Sequence, residues 1–245
     1  MNSTINFKQS AQKIIHSLGW DIHRFDPNSN EYIQLLQSLN NFNIDILFDI
    51  GANKGQFSSH LRMFGYKGKI VSFEPLSDAH KTLEKTARTD NEWVIHDRTA
   101  IGDFDGKINI NIAGNSQSSS VLSMLDSHTS VAENSAYIGV EEVAISRLDT
   151  LSPLYVSPTS RLFIKIDTQG FEWNVLDGAE NTLKQAQGVL CELSLIPLYE
   201  GQKLWLDVIC RLEREGFTLW SLKKGFSNSH NGRTLQIDAV FIREN

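Results

Sequence analysis

Several things are scarce in this 245-residue chain, and each scarcity removes a class of chemistry. Only two cysteines occur, Cys191 and Cys210, which excludes a disulfide framework or a zinc site with paired ligand spacing and leaves both expected as reduced core thiols. The seven histidines, at 16, 23, 60, 80, 96, 128 and 230, form no HxH or HExxH group, so no metal is assigned. Positive charge is not in excess: 23 Lys and Arg face 29 Asp and Glu, a formal net charge of -6. No global basic field exists for a phosphate backbone or an anionic membrane, so nucleic acid is not expected as a partner. No apolar run approaches the roughly 18 residues of a membrane span, and MNSTINFKQSAQKIIHSLGW lacks the uninterrupted apolar core of a signal peptide. The expected location is cytoplasmic. Neither GxGxxG nor GxxxxGK[ST] is found, which disfavours a nicotinamide dinucleotide and a P-loop nucleotide.

What is present is ordinary globular material, 40% hydrophobic and 21% charged, enough to bury a core and to exclude disorder as the main state. A single domain is expected over 1–245, with a helical cap at 1–43. The cap holds two helix-like stretches, 7–18 and 31–39, the second announced by Pro27, Asn28 and Ser29. From Ile44 onward, short apolar segments punctuated by Gly, Pro and Asp alternate with longer helical ones, the mark of βαβ units and a mainly parallel sheet. Seven strands are expected, at 44–50, 69–74, 93–97, 161–167, 188–193, 217–222 and 235–242. Helices are expected at 56–64, 78–86, 172–187 and 203–215, the last with Leu204, Val208, Ile209 and Leu212 on one stripe. Residues 102–160 read as an insertion with a hairpin, KININIAG then EEVAISRLD, and a Ser-rich link, NSQSSS, at 115–120. Only 223–234 separates the last two strands, too short for a crossover helix, so they should run antiparallel.

Three motifs carry chemistry. In DIGANKGQF, 49–57, Gly51 and Gly55 allow a tight strand-to-helix turn and close approach of a ligand to the backbone. The same spacing also suits a plain βα turn. In VSFEP, Glu74 ends the next strand, where a carboxylate can accept hydrogen bonds from both hydroxyls of a ribose lying across the two strands. Asp49 before the turn suits a ligand with an ammonium group as well as a carboxylate, as in S-adenosylmethionine. In IKIDTQGFEWNVLDGAE, 164–180, Asp167 ends a strand and should face the crevice at the carboxyl edge of the sheet. Glu172 is a candidate at the same edge, although the helix macrodipole already explains an acid in a first turn.

Taken in order, ILFDIGANKGQF, VSFEP, RTAIGDFDGK, RLDTL, FIKIDTQGFEWNVLDGA, CELSLIPLYEGQ and LQIDAVFIR resemble the FkbM family of S-adenosylmethionine-dependent methyltransferases over about residues 30 to 243. The resemblance implies a class I methyltransferase (Rossmann-like) α/β fold: a seven-stranded, mainly parallel sheet with an antiparallel last strand, and helices on both faces. It implies O-methylation, commonly of a sugar or polyketide hydroxyl. It places the methionyl end of the cofactor at Asp49, Gly51, Asn53 and Gly55, and the ribose on Glu74. The adenine region would fall at Asp97, Arg98 and Ala100. Family members often carry Glu where this chain has Gln169.

Methyl transfer from a sulfonium is an in-line displacement, so an enzyme mainly positions the nucleophile, excludes water and removes a proton from the acceptor. The base expected here is Asp167, with Glu192 in reserve as base or as a ligand of a sugar hydroxyl; His96 and His230 are further candidates. A metal bridging Asp167 and Glu192 is conceivable but not assigned. The loops IPLYEGQ and KKGFSNSHNGRT should help to form the acceptor pocket. There Tyr199 and Phe226 offer flat faces for a glycan or other small-molecule acceptor, and Arg233 could hold an acidic group. A homo-oligomer is compatible with all of this. The competing readings are a catalytically silent nucleoside-binding or interaction protein on the same scaffold and a nicotinamide oxidoreductase. The glycine spacing disfavours the oxidoreductase, and Asp167 together with Glu74 favours catalysis over binding alone.

Overall fold

Alternation of apolar residues decides which face each strand covers. The computed structural model describes residues 13–20, 26–28 and 30–244. Its strands are β1 Ile46–Ile50, β2 Lys69–Phe73, β3 Trp93–Ile95, β4 Thr99–Gly102, β5 Gly106–Ala113, β6 Tyr137–Arg147, β7 Leu162–Ile166, β8 Ala186–Ser194, β9 Thr218–Lys224 and β10 Gln236–Ile242. The principal helices are α1 Glu31–Asn41, α2 Gln56–Phe64, α3 Ser77–Ala87, α4 Glu172–Asp177, α5 Glu180–Gln185 and α6 Trp205–Arg214. Seven strands form one sheet in the order β3-β2-β1-β7-β8-β10-β9. All pairings from β3 to β8 are parallel, and β10 is antiparallel to both β8 and β9. This is the arrangement that the resemblance implies, with the reversed strand that the short final connection requires.

Period-two alternation sorts the core into two layers. Ile46, Phe48 and Ile50 of β1 and Leu162, Ile164 and Ile166 of β7 pack toward α4, α5 and α6. Leu47, Ile70, Phe163 and Val240 pack toward α1, α2 and α3. The same alternation puts Asp49 and Lys165 on this second face, directly opposite one another in the β1–β7 register.

Four expected elements differ in the structure. The helix expected at 31–39 is α1, but its cap is Asn30, whose side chain accepts from the Tyr32 and Ile33 N–H groups, rather than the Pro27–Asn28 run. Ser29, and the part of the 7–18 stretch before Lys13, lie outside the described residues; 13–17 are helical. The helix expected over 172–187 is broken at Gly178, where a Cβ would lie 1.7 Å from the Gly102 carbonyl oxygen, and β8 begins already at Ala186. Asp149, from the RLDTL segment, accepts from the Asn181 and Thr182 N–H groups and so caps the second half of that helix. The insertion is more than a hairpin: β5 and β6 are antiparallel as expected, but β4 adds parallel to β6, making a second, three-stranded sheet. The strand expected at 93–97 therefore stops at Ile95, because the chain must leave one sheet to enter the other. Among the described residues no helix is long and apolar enough to cross a membrane.

Candidate active site

The turn after β1 is built on two left-handed glycines. Gly51 has φ of 73°, and a Cβ there would lie 1.8 Å from the Asp167 carbonyl oxygen; Gly55 has φ of 84° and backs onto Leu83 and Trp93. Asn53 is left-handed as well, and its N–H donates to Glu74 Oε2 at 2.8 Å. The second carboxylate oxygen, Oε1, accepts from Leu76 N–H at 2.8 Å. Each oxygen keeps a further lone pair for a ligand. Glu74 is nonetheless buried, and burial pushes its carboxyl up to about 7 despite the two backbone donors.

Glu74 stands at one end of a cavity of about 710 Å³ that runs along the carboxyl edge of β1, β2, β7 and β8. At the other end is a wall of carboxyl and carboxamide groups. The Gln169 Nε2 donates to Asp167 Oδ1 at 2.8 Å and to Glu192 Oε2 at 2.8 Å, while Gln236 Nε2 donates to the same Glu192 oxygen at 2.6 Å. Gln169 Oε1 accepts from the Tyr199 hydroxyl at 2.9 Å. The carboxamide is thus used on both sides, and a glutamate in its place would set a third carboxylate against two others. Burial, with Asp167 alongside, pushes the Glu192 carboxyl well above the usual range; Asp238, opposite it on β10, is raised for the same reasons. Asp167 is the more open of the three, with 36% of its side chain exposed.

Beneath this wall lies a group that the sequence reading passed over. Lys165 is 4% exposed; its ammonium donates to the Gly51 carbonyl at 3.0 Å and the Ile50 carbonyl at 3.3 Å, and lies 3.1 Å from Asp49 and 3.5 Å from Asp167. Burial alone would discharge it, but Asp49 and Asp167 outweigh that cost and hold it protonated, above the ordinary lysine range. A cation amid the apolar alternation of FIKID was the available signal.

The other expected residues divide plainly. The cavity wall includes Gly51, Asn53, Glu74 and Ala100, and it includes Asp167, Glu192 and Phe226. Asp49 is fully buried behind the turn, its Oδ2 accepting from Ser58 at 2.7 Å, and Gly55 supports the turn from behind. Asp97 and Arg98 stand outside the cavity where the chain changes sheets, with Arg98 paired to Glu141. Glu172 faces its own loop, accepting from Thr168 N–H at 2.9 Å and Gly170 N–H at 3.1 Å. Tyr199 is buried behind Gln169 rather than presenting a face to the cavity, and Arg233 is exposed on the β9–β10 connection. His96, bonded to the Tyr155 hydroxyl, and the exposed His230 are likewise outside it. His128 and Gln236, which had not been singled out, line it.

Glu172 provides a pH test. Burial pushes its carboxyl from 4.5 to about 7, so between those values the folded chain holds a proton that the unfolded chain has released. Stability is therefore lost as pH rises through that window. Glu172→Gln should gain stability over the wild type by roughly 2 to 3 kcal/mol between pH 4.5 and pH 8, read from urea unfolding at the two pH values. A difference independent of pH would show that Glu172 is ionised at no cost.

Residues 49–219 match the family described as "Methyltransferase FkbM domain", and the chain belongs to that family. It is a methyltransferase of the class that uses S-adenosylmethionine. No curated protein matches it. Solved structures of similar fold include an rRNA methylase from Streptococcus thermophilus (13% identity, TM-score 0.48, covering 92% of this chain and 99% of that one). Another is TrmK of M. capricolum in complex with S-adenosylhomocysteine (6% identity, TM-score 0.48, covering 92% and 70%). A third is the magnesium protoporphyrin IX methyltransferase of Synechocystis PCC 6803 with bound S-adenosylmethionine (9% identity, TM-score 0.47, covering 97% and 82%).

Proposed function

We propose that the protein transfers a methyl group from S-adenosylmethionine to a hydroxyl of a sugar-containing or related small-molecule acceptor, with Asp167 as the base. The observation that carries this reading is one cavity lined both by Glu74, at the end of β2, and by the hydrogen-bonded Asp167–Gln169–Glu192 group at the ends of β7 and β8. The fit to the cofactor rests on unused acceptor capacity: each Glu74 oxygen has a lone pair left for a ribose hydroxyl, and Gly51, whose Cβ position is taken by the Asp167 carbonyl, lets the turn close tightly at the cavity wall. Gly51 and Asn53 would hold the methionyl end and Ala100 the adenine side. When bound, the cofactor supplies an electrophilic methyl group on a sulfonium.

The chain's own part is placement and proton removal. Asp167, fixed through Oδ1 by Gln169 and through Oδ2 by Lys165, offers a carboxylate at the cavity wall to an acceptor hydroxyl. Beside its carboxyls the cavity wall carries neutral hydrogen-bonding groups, Gln169, Gln236 and the SQSSS run at 116–120, and such a mixture of acceptors and donors suits the hydroxyls of a sugar-like acceptor. Incubation with tritiated S-adenosylmethionine and cell extract should label a hydroxyl-bearing product, identified by mass spectrometry; label on nitrogen or carbon alone would reject O-methylation. Glu74→Ala should weaken cofactor binding by about 2 to 4 kcal/mol, the worth of two hydrogen bonds to a carboxylate, in calorimetry. An unchanged affinity would remove Glu74 from the ribose site.

A further inference from the structure

His128 has a defined tautomer. It sits in a helical turn, Asp126–Thr129, 2% exposed, and lines the cavity. Three hydrogen bonds dock its segment on the loop after β8: Leu125 N–H to the Leu198 carbonyl at 2.9 Å, the Ser127 hydroxyl to the Pro197 carbonyl at 2.5 Å, and Glu200 N–H to the Ser123 carbonyl at 2.8 Å. The imidazole lies 5.4 Å from the Tyr199 ring and 5.3 Å from the Phe226 ring. Its position is therefore set by the fold, and through Tyr199 it is tied to the Gln169–Asp167 wall.

The Ser135 hydroxyl donates its only proton to the Ala132 carbonyl, at 2.5 Å. It also lies 3.0 Å from His128 Nδ1, and having no second proton it can only accept there. The proton is therefore on Nδ1, and the neutral ring carries a lone pair on Nε2. Among the described residues nothing donates to Nε2. Burial holds the ring below the ordinary histidine range, which favours this neutral form.

We infer that His128 is a specificity-determining residue of the acceptor site, its Nε2 accepting a hydrogen bond from a hydroxyl of the methyl acceptor beside the Phe226 ring. The inference rests on the methyl-transfer reading above. Phe226 supplies an apolar face for the carbon skeleton, while Nε2 selects a group that can donate.

The test uses the full chain and, as acceptor, the extract fraction that takes label from tritiated S-adenosylmethionine. His128→Phe keeps a ring but has no acceptor atom, and should raise the apparent KM for that fraction about fivefold to tenfold, the worth of one hydrogen bond, with the cofactor dissociation constant unchanged. His128→Gln, whose amide oxygen can replace Nε2, should recover most of the loss. Long-range proton–nitrogen NMR should show Nδ1 protonated and Nε2 bare in the free protein. An unchanged KM in His128→Phe, no recovery in His128→Gln, or a proton on Nε2 overturns the inference and leaves methyl transfer standing. A wild-type protein that labels nothing overturns methyl transfer first, and the assignment of His128 with it.

Discussion

Lys165→Met is expected to destabilise the protein by about 3 to 5 kcal/mol, the cost of leaving a buried charge without its partner. Among the described residues the buried Asp49 Oδ1 has no aligned hydrogen-bond partner, and its ion pair is with the Lys165 ammonium at 3.1 Å. Methionine fills similar volume, so the loss is electrostatic rather than a cavity. The same change removes the donor from the Ile50 and Gly51 carbonyls at the turn after β1, and it removes the cation next to Asp167. Asp49→Asn in the same chain should restore much of the stability, because the uncompensated charge is gone while Ser58 still has an oxygen to donate to. Urea unfolding of both single variants and the double variant measures the coupling. A Lys165→Met variant within about 1 kcal/mol of wild type would overturn the ion pair as a source of stability.

This ion pair also shows where the sequence was legible. The alternation of apolar segments and glycine-marked turns gave the seven strands and the reversed last strand, since both depend on local spacing. Gly51 and Glu74 line the cavity because the turn after β1 and the end of β2 both lie at the carboxyl edge of the sheet, a position that local spacing predicts. Asp49 is expected to face ligand, but it lies within β1, two positions before Gly51, and the pleat turns it inward toward Lys165. Arg98 and Asp97 were misplaced because the three-stranded second sheet is a non-local pairing, and nothing near residue 99 announces that its partner is Ala144. Tyr199 could not be placed either: its ring packs against Gly170, which joins a loop after β8 to a loop after β7. His128 was invisible for a related reason, since its neighbours come from the β8 loop and the β9–β10 connection.

Asp167→Asn is expected to lower turnover by about 10² to 10⁴, the usual worth of a positioned base, with cofactor affinity changed far less. The substitution keeps the shape, and an Asn oxygen can still accept from Gln169. What it removes is the capacity to take a proton from an acceptor hydroxyl. Glu192 is a poor replacement, because burial and Asp167 raise its carboxyl well above the usual range and two carboxamides already occupy one of its oxygens. The two acids therefore separate by environment: the open one fits the role of base, and the enclosed one fits that of a hydrogen-bonding anchor for the acceptor. Glu192→Gln should then raise the apparent KM for the acceptor more than it lowers kcat. If Asp167→Asn instead turned over at the wild-type rate under saturating cofactor and Glu192→Gln did not, the base would be Glu192, and Asp167 would serve as a structural counter-charge to the Lys165 ammonium.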